Sequence, residues 1–508
     1  MHISRRLLLS RASVAVVLGG SGLLAACSGS TPSSPTSAPA ASQPQPAAAP
    51  SPTPAGSSAS PAAASPAASP AVAAPSASPA VAAPSPSAAP AQAASPAPAL
   101  AAGKPMYQHD AQHTGRSPYA GPRQATVLRR FDTSQPQYLP ADAAIARDDF
   151  QSSSAIGPDG TIYVANFPGV LFALRDSPSA RDQLELAWRF HPPNASSFHA
   201  TPALSSDGST VYLGFAGGFN APGKATFYAL KAPASGTDAQ AVWTVDLGDT
   251  RVMASPTVGP DGTIYVTNSA GQLFAIGADG SVRWRAQTGP AIKSAPALGA
   301  DGTVYQPSSD GKLYAVSPQG QVKWTFDFGE HLGPTPLVTS QATGPGGGGA
   351  GANGIGSGAS PTIGPDGTIY IGANNSNMYA VAPDGSMKWL FEAERELAGI
   401  WTTPCLSADG GTIYFGANKG GVYAVNTANG SRRWQFPVYG SIYASSALDN
   451  RGVLYTGATV EHLYALDTTQ GEPIWDLDVH NQVWSAPSIR PDGTLVIADR
   501  GGIVSVIG

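Results

Sequence analysis

Two histidines four residues apart, in His109-Asp110-Ala111-Gln112-His113, are the first side chains whose types and spacing could do chemistry. On a helix that spacing puts both imidazoles on one face, where they could hold a zinc ion. Asp110 stands where a zinc hydrolase has its glutamate, and Gly115 with Pro118 leaves little helix to present the pair, so no metal site is expected. Gly349-Ala350-Gly351-Ala352-Asn353-Gly354 matches the G-x-G-x-x-G spacing of a dinucleotide loop. That chemistry needs a strand before the glycines and a helix after them to aim backbone N–H groups at a pyrophosphate. Here the run lies in a glycine-rich insertion, 339–358, and reads as a loop. Beyond Cys27 the only cysteine is Cys405, which excludes a disulfide, a CxxC redox pair and a CxxCH haem attachment. Following Pro404, it reads as a small buried hydrophobe.

The remaining candidates come into view only through the repeats that position them. Ser255 to Trp284 reads as four short strands: a segment from Ser255, then Thr263–Val266 after the Pro260-Asp261-Gly262 turn, Leu273–Ile276 after Gly271, and Val282–Trp284 after Asp279-Gly280. The aromatic or Val of the second strand recurs at Tyr163, Tyr212, Tyr265, Tyr305, Tyr370, Tyr414, Tyr455 and Val496, mostly about 41 residues apart. The Trp of the fourth recurs at Trp188, Trp243, Trp284, Trp324, Trp389, Trp434 and Trp475. Eight starts and seven finishes predict an all-β chain, an eight-bladed β-propeller of four-stranded antiparallel blades. The missing outer strand is expected from Thr126–Phe131, and its closure of the ring removes open sheet edges.

Aligning the units isolates one variable position. Three places before the Pro that begins each inner strand, or the Ser that replaces it, stand Gln151, His199, Met253, Lys293, Gly358, Trp401, Tyr443 and Trp484. Inner strands line the axial channel, so these residues are expected to ring its mouth. His199, Arg251 and Lys293 gather on one arc and Trp401, Tyr443 and Trp484 on the other, an arrangement that suits an anionic planar ligand, a sugar or a partner's peptide loop. The competing expectation is that these side chains merely plug the channel or pack under loops.

Residues 1–26 read as an export signal. Ser4-Arg5-Arg6-Leu7-Leu8-Leu9 resembles a twin-arginine signal, and Leu24-Ala25-Ala26-Cys27 resembles a bacterial lipobox, which implies that Cys27 is lipidated. Ser28 to Gly103 is built chiefly of Ala, Pro and Ser and carries no charge. Such a segment buries too little surface to offset its chain entropy, so 27–103 reads as a lipidated tether with a reach on the order of 200 Å, and the propeller as 104–508. With Arg5, Arg6 and Arg11 set aside in the signal, 25 of the 28 basic residues face 33 acidic ones, which argues against nucleic acid as a partner. An extracytoplasmic monomer, held at the outer face of a membrane or in a periplasm, is expected.

His109-Asp110 with Thr114-Gly115-Arg116-Ser117, followed by eight such units, resembles the pyrroloquinoline-quinone-repeat propellers, a family that includes quinoprotein alcohol dehydrogenases and the propeller lipoprotein of the outer-membrane barrel-assembly machinery. The family's docking motif, A-x-D-x-x-T-G-x-x-x-W, is matched at Ala465–Trp475 with Gln470 for Thr, and at Ala424, Asn426, Gly430 and Trp434 with Asn for Asp. From Ala275 to Trp284 the spacing is one residue shorter. The resemblance implies that the seven tryptophans dock blades together. It also implies, for a dehydrogenase, a quinone stacked near adjacent cysteines and a calcium ion held by Glu, Asn and Asp. This chain has no Cys-Cys pair and minimal blades, and no catalytic residue carries over by motif. A non-catalytic propeller that binds a protein or small-molecule ligand, without a cofactor or metal, is therefore the leading expectation. A PQQ- and Ca²⁺-dependent alcohol or sugar dehydrogenase is the alternative.

Overall fold

In the computed structural model the described residues are 103–135, 137–138, 150–192, 198–215, 224–290, 293–329, 358–393, 399–418 and 420–508. The signal, Cys27, the tether and the G-x-G-x-x-G run lie outside them.

Six residues of blade 3 show how the local structure arises. In blade 3 the Asp261 carboxylate accepts from the Thr263 N–H (3.0 Å) and hydroxyl (2.5 Å), and Gly262 takes φ +77°, which turns the chain tightly into Ile264–Thr267. Tyr265 then pairs with Ala275, and Ala275 pairs with Trp284 on the next strand. The methyl in the middle of the row lets the two rings close over it, with centroids 5.9 Å apart. The same Tyr-Ala-Trp row crosses blades 1 to 7, from Tyr163-Ala173-Trp188 to Tyr455-Ala465-Trp475.

Eight four-stranded antiparallel sheets result, and among the described residues there is no helix. Blades 1 to 7 each use four consecutive strands, spanning 155–190, 203–246, 257–287, 297–327, 362–392, 405–436 and 447–478. Blade 8 takes three strands from 488–507 and its outermost from Val127–Asp132, which pairs with Ile503–Ile507. The fold is thus the eight-bladed propeller that the repeats predict, closed by the N-terminal strand. In blade 8 the row reads Val496-Val506-Arg129, so this blade lacks the aromatic pair and has no tryptophan to set against blade 1.

Between blades, each tryptophan from Trp243 to Trp475 donates its indole N–H to a carbonyl of the following blade or, for Trp475, of Pro122 beside the closing strand, at 2.7–3.1 Å. The ring lies on a positive-φ glycine of that next blade. At Gly280, Gly320, Gly385, Gly430 and Gly471 a Cβ would stand 2.5–2.9 Å from the indole. The Gly and the Trp of one repeat therefore serve opposite neighbours.

One end of the axial channel is closed by residues 104–117, a role that the sequence reading did not assign. Lys104 exchanges backbone hydrogen bonds with Ile156 of blade 1. The carbonyls of Pro105, Ala111, Gln112, Thr114 and Gly115 then accept from the inner-strand N–H groups of Leu204, Leu298, Ile363, Leu406 and Leu448 in blades 2, 4, 5, 6 and 7. His113 lies 3.1 Å from the Thr257 hydroxyl of blade 3, and the Lys104 ammonium donates to Ser488 of blade 8 at 2.8 Å. One short segment thereby touches all eight blades. The histidines considered for zinc are spent in this plug: His113 is fully buried, with its other nitrogen on the Pro361 carbonyl.

Candidate binding site at the channel mouth

The opposite end of the channel is organised by a ring of hydroxyls. Immediately before the Pro, or the Ser replacing it, six of the eight units carry a Ser or Thr whose hydroxyl accepts from a backbone N–H of the blade before it. The bonds run Ser153 to Thr201 (3.0 Å), Thr201 to Ser255 (2.9 Å), Ala295 to Ser360 (2.8 Å), Ser360 to Thr403 (3.2 Å), Thr403 to Ser445 (2.9 Å) and Ala486 to Ser153 (2.8 Å). Ala295 and Ala486, opposite one another in blades 4 and 8, have no hydroxyl to give, so the ring consists of two arcs. Within them, N–H groups that would otherwise face the channel unpaired are satisfied by side chains. Tyr107 of the plug reaches this ring, with its hydroxyl 2.9 Å from Thr403 Oγ1 and 2.8 Å from Ser445 Oγ.

Two residues above the hydroxyls sit the variable positions. On one side Gln151 Oε1 lies 3.2 Å from His199 Nδ1 and accepts from Lys293 Nζ at 3.2 Å, which links blades 1, 2 and 4. Burial, helped by the charges of Lys293 and Arg251, pushes the His199 imidazole down to about 3, so it is neutral at physiological pH. With Nδ1 donating to Gln151, its Nε2 is left as a buried acceptor without a partner among the described residues. Phe167 braces the ring edge-on at 5.2 Å. On the other side Trp401 and Tyr443 stack at 5.3 Å and 27°, and Tyr443 meets Trp484 at 4.9 Å and 56°. Arg500 caps Trp484, its guanidinium carbon 4.2 Å from the ring centroid. Between the two sides, a Cβ on Gly358 would meet none of the described residues within 4 Å.

The site candidates Gln151, His199, Lys293, Trp401, Tyr443 and Trp484 thus form two clusters, with Arg251 close enough to act on His199 electrostatically. Six of the nine tryptophans make the indole bonds just described, Trp188 is buried in the core between blades 1 and 2, and the other two, Trp401 and Trp484, are both at this mouth. Phe167 and Arg500 escaped the sequence reading because each lies on a different strand connection from the ring residue it touches; neither has a repeat signal. Cys405 is fully buried, with its thiol pushed up by burial. Among the described residues, no three or more His, Cys, Asp or Glu side chains gather in a way that could hold a metal.

Residues 223–349 and 353–450 match the family model described as outer membrane protein assembly factor BamB. That match, together with the repeats, supports the PQQ-repeat propeller family. Its fold is similar to that of BamB from Moraxella catarrhalis, at 16% identity over 76% of this chain and 97% of that one, with a TM-score of 0.51. It is also similar to the quinohemoprotein alcohol dehydrogenase of Comamonas testosteroni, at 13% identity over 80% and 81% of the two chains and a TM-score of 0.59. A europium-containing methanol dehydrogenase gives 11% identity, 78% and 89% coverage and a TM-score of 0.57. No curated protein matches the chain in sequence. At these identities the likeness to the solved structures is one of fold.

Proposed function

We propose that this chain is an extracytoplasmic, tethered propeller that binds a protein partner or small ligand at its channel mouth and catalyses no reaction. The observation that carries the reading is the contrast between the two ends of the channel: 104–117 seals one, while the other presents an aromatic wall opposite a hydrogen-bonded cationic knot. Aromatic side chains beside a few fixed polar groups are the kind of lining that ligand sites use. The match to an assembly-factor family supports the binding reading. The lipobox-like Leu24–Cys27 and the uncharged tether support anchoring by lipid at the outer face of a membrane, or in a periplasm where one exists.

The dehydrogenase-like folds raise the quinone alternative. Calcium needs several oxygen ligands, usually including carboxylates. The eight mouth positions hold no carboxylate, and the amide oxygen of Gln151 is already engaged by Lys293 and His199. The residues present do not fit a quinone–calcium pair, so we derive no redox step.

The testing experiment is the double variant Trp401→Ala/Trp484→Ala. Loss of crosslinking to envelope components with a nearly unchanged melting temperature supports the site. A stability loss of about 3–5 kcal/mol per Trp, with crosslinking retained, assigns these rings to packing. Absorbance with added quinone and Ca²⁺, an alcohol or sugar and an artificial electron acceptor tests the enzyme reading: turnover would overturn ours.

A further inference from the structure

At the sealed end of the channel, and independently of the mouth, we infer a buried halide site: one chloride-type anion enclosed between residues 104–117 and blades 7 and 8, held by the Lys104 ammonium and the Ser446 hydroxyl. A cavity of about 10 Å³ lies there, room for one water-sized body. Lys104, Gln108, His109, Ser117 and Ser446 line it with polar groups, and no Asp or Glu does.

The repeats single out the same place. In six blades the residue that begins the inner strand is Pro, as at Pro487, but in blades 1 and 7 it is Ser154 and Ser446. Both serines fall around Lys104. Ser154 donates to the Ser488 hydroxyl at 2.8 Å, and that hydroxyl also accepts from the Lys104 ammonium at 2.8 Å and donates to the Ser154 carbonyl at 3.1 Å. Ser488 is thereby saturated, with its proton and both lone pairs engaged. Ser446 Oγ, in contrast, is buried without a hydrogen-bond partner among the described residues. A hydroxyl standing where the fold accepts proline, and left unpaired, is destabilising unless something occupies the cavity beside it.

Lys104 makes the same demand more strongly. Its ammonium is 4% exposed and, among the described residues, has one hydrogen bond for three donors. Burial lowers it to about 7, and no carboxylate counters that effect. Water in the cavity would pair with Ser446 but leave the buried charge uncompensated. An anion does both. The size of the cavity restricts the choice to a monatomic ion, since sulfate, phosphate and carboxylates carry several heavy atoms. Such an ion needs no open path, because it is enclosed as 104–117 docks. The segment turns here through Gln108 and His109, two successive non-glycine residues at φ +53° and +76°, a conformation that persists only where the surroundings impose it.

The test compares melting of the full chain purified throughout in sodium chloride, bromide or gluconate at equal ionic strength, at about pH 6 so that Lys104 is charged. General salt effects cancel when the intact chain is read against Lys104→Met in the same salt. At about 300 mM halide the intact chain should gain about 2 °C or more on that reference relative to gluconate, and Ser446→Ala should need about fivefold more halide for half the gain. Crystals grown in bromide should show an anomalous peak beside Lys104 Nζ and Ser446 Oγ. Equal differences in all three salts overturn the site, and so does a halide gain without a peak at Lys104, which puts the ion elsewhere. A peak without a melting gain is binding at crystal concentration only and overturns it as well. Should Lys104→Met fail to fold, an unchanged halide dependence in Ser446→Ala overturns it. None of these outcomes bears on the mouth.

Discussion

Ser153 and Ala486 lie 333 residues apart in sequence, yet the Ala486 N–H donates to the Ser153 hydroxyl at 2.8 Å. That bond joins the last blade to the first at the level of the channel. Farther out, no tryptophan docks across this junction; Arg490 and, from the closing strand, Arg129 pair with Asp176 of blade 1 at 3.1 and 3.4 Å, beside a shared apolar core. The N-terminal strand thus adds a charged contact to a seam that the blades' own core and Arg490 also hold.

Deleting 28–103 should leave the melting temperature within about 1 °C of the intact chain, whereas deleting only 104–121 should lower it by about 10 °C or more. The shorter deletion leaves the inner-strand N–H groups of Leu204, Leu298, Ile363, Leu406 and Leu448 without their carbonyl partners. Removing 104–135 takes the outer strand as well and should prevent closure. Scanning calorimetry of the three deletions checks this; equal melting of the first two would show that the plug contributes nothing.

Gly320→Ala should destabilise by about 3 kcal/mol, because φ is +81° and the new methyl would stand 2.9 Å from the Trp284 indole. Trp284→Ala should cost about 3–5 kcal/mol. Both changes break one contact, so the double variant should lose clearly less than the sum. A denaturation double-mutant cycle measures this, and strict additivity would mean that the glycine and the indole act independently.

Burial pushes the Lys104 ammonium down to about 7 from its ordinary value of 10.5. The unfolded chain then binds more protons between those values, so stability should rise with pH from about 7 to about 10.5 and sit at its lower level below 7. Lys104→Met should remove this rise and melt higher at pH 7, since it keeps the apolar stem and discards a buried charge. Melting curves taken across the range would show it; an unaltered pH slope in the variant would exclude Lys104 as the cause.

Cys27→Ser should move the protein to the soluble fraction without changing its melting temperature. Membrane fractionation of the variant is the check, and continued sedimentation with membranes would mean that another feature anchors it.

The blades were legible because their determinants are local and repeated. Tyr265, Ala275 and Trp284 lie within one unit, and the DG-type turn before them fixes the register. Closure by Val127–Asp132 was legible by elimination, since the last unit lacks an outer strand. The plug was not, because it binds through the carbonyls of Pro105, Ala111, Gln112, Thr114 and Gly115, and a backbone acceptor leaves no mark on residue type. The hydroxyl ring was half legible: a Ser or Thr before the Pro is evident in most units, but its partner belongs to another blade. At the mouth, the repeats give position alone. That Lys293 reaches Gln151 three blades away, and that Arg500 covers Trp484, are outcomes of side-chain packing.

The strand that seals blade 8 is synthesised near the start of the chain, and its partner, Ile503–Ile507, some 370 residues later. Until the ribosome has delivered that partner, Val127–Asp132 is an unsatisfied edge, and pairing over so long a separation is slow. A polypeptide threaded unfolded through a translocase would expose this edge on the far side for the whole passage and would call on a holding chaperone there. A polypeptide that folds before it crosses carries no such edge. Any product terminated before residue 503 keeps the edge permanently, which marks it for proteolysis.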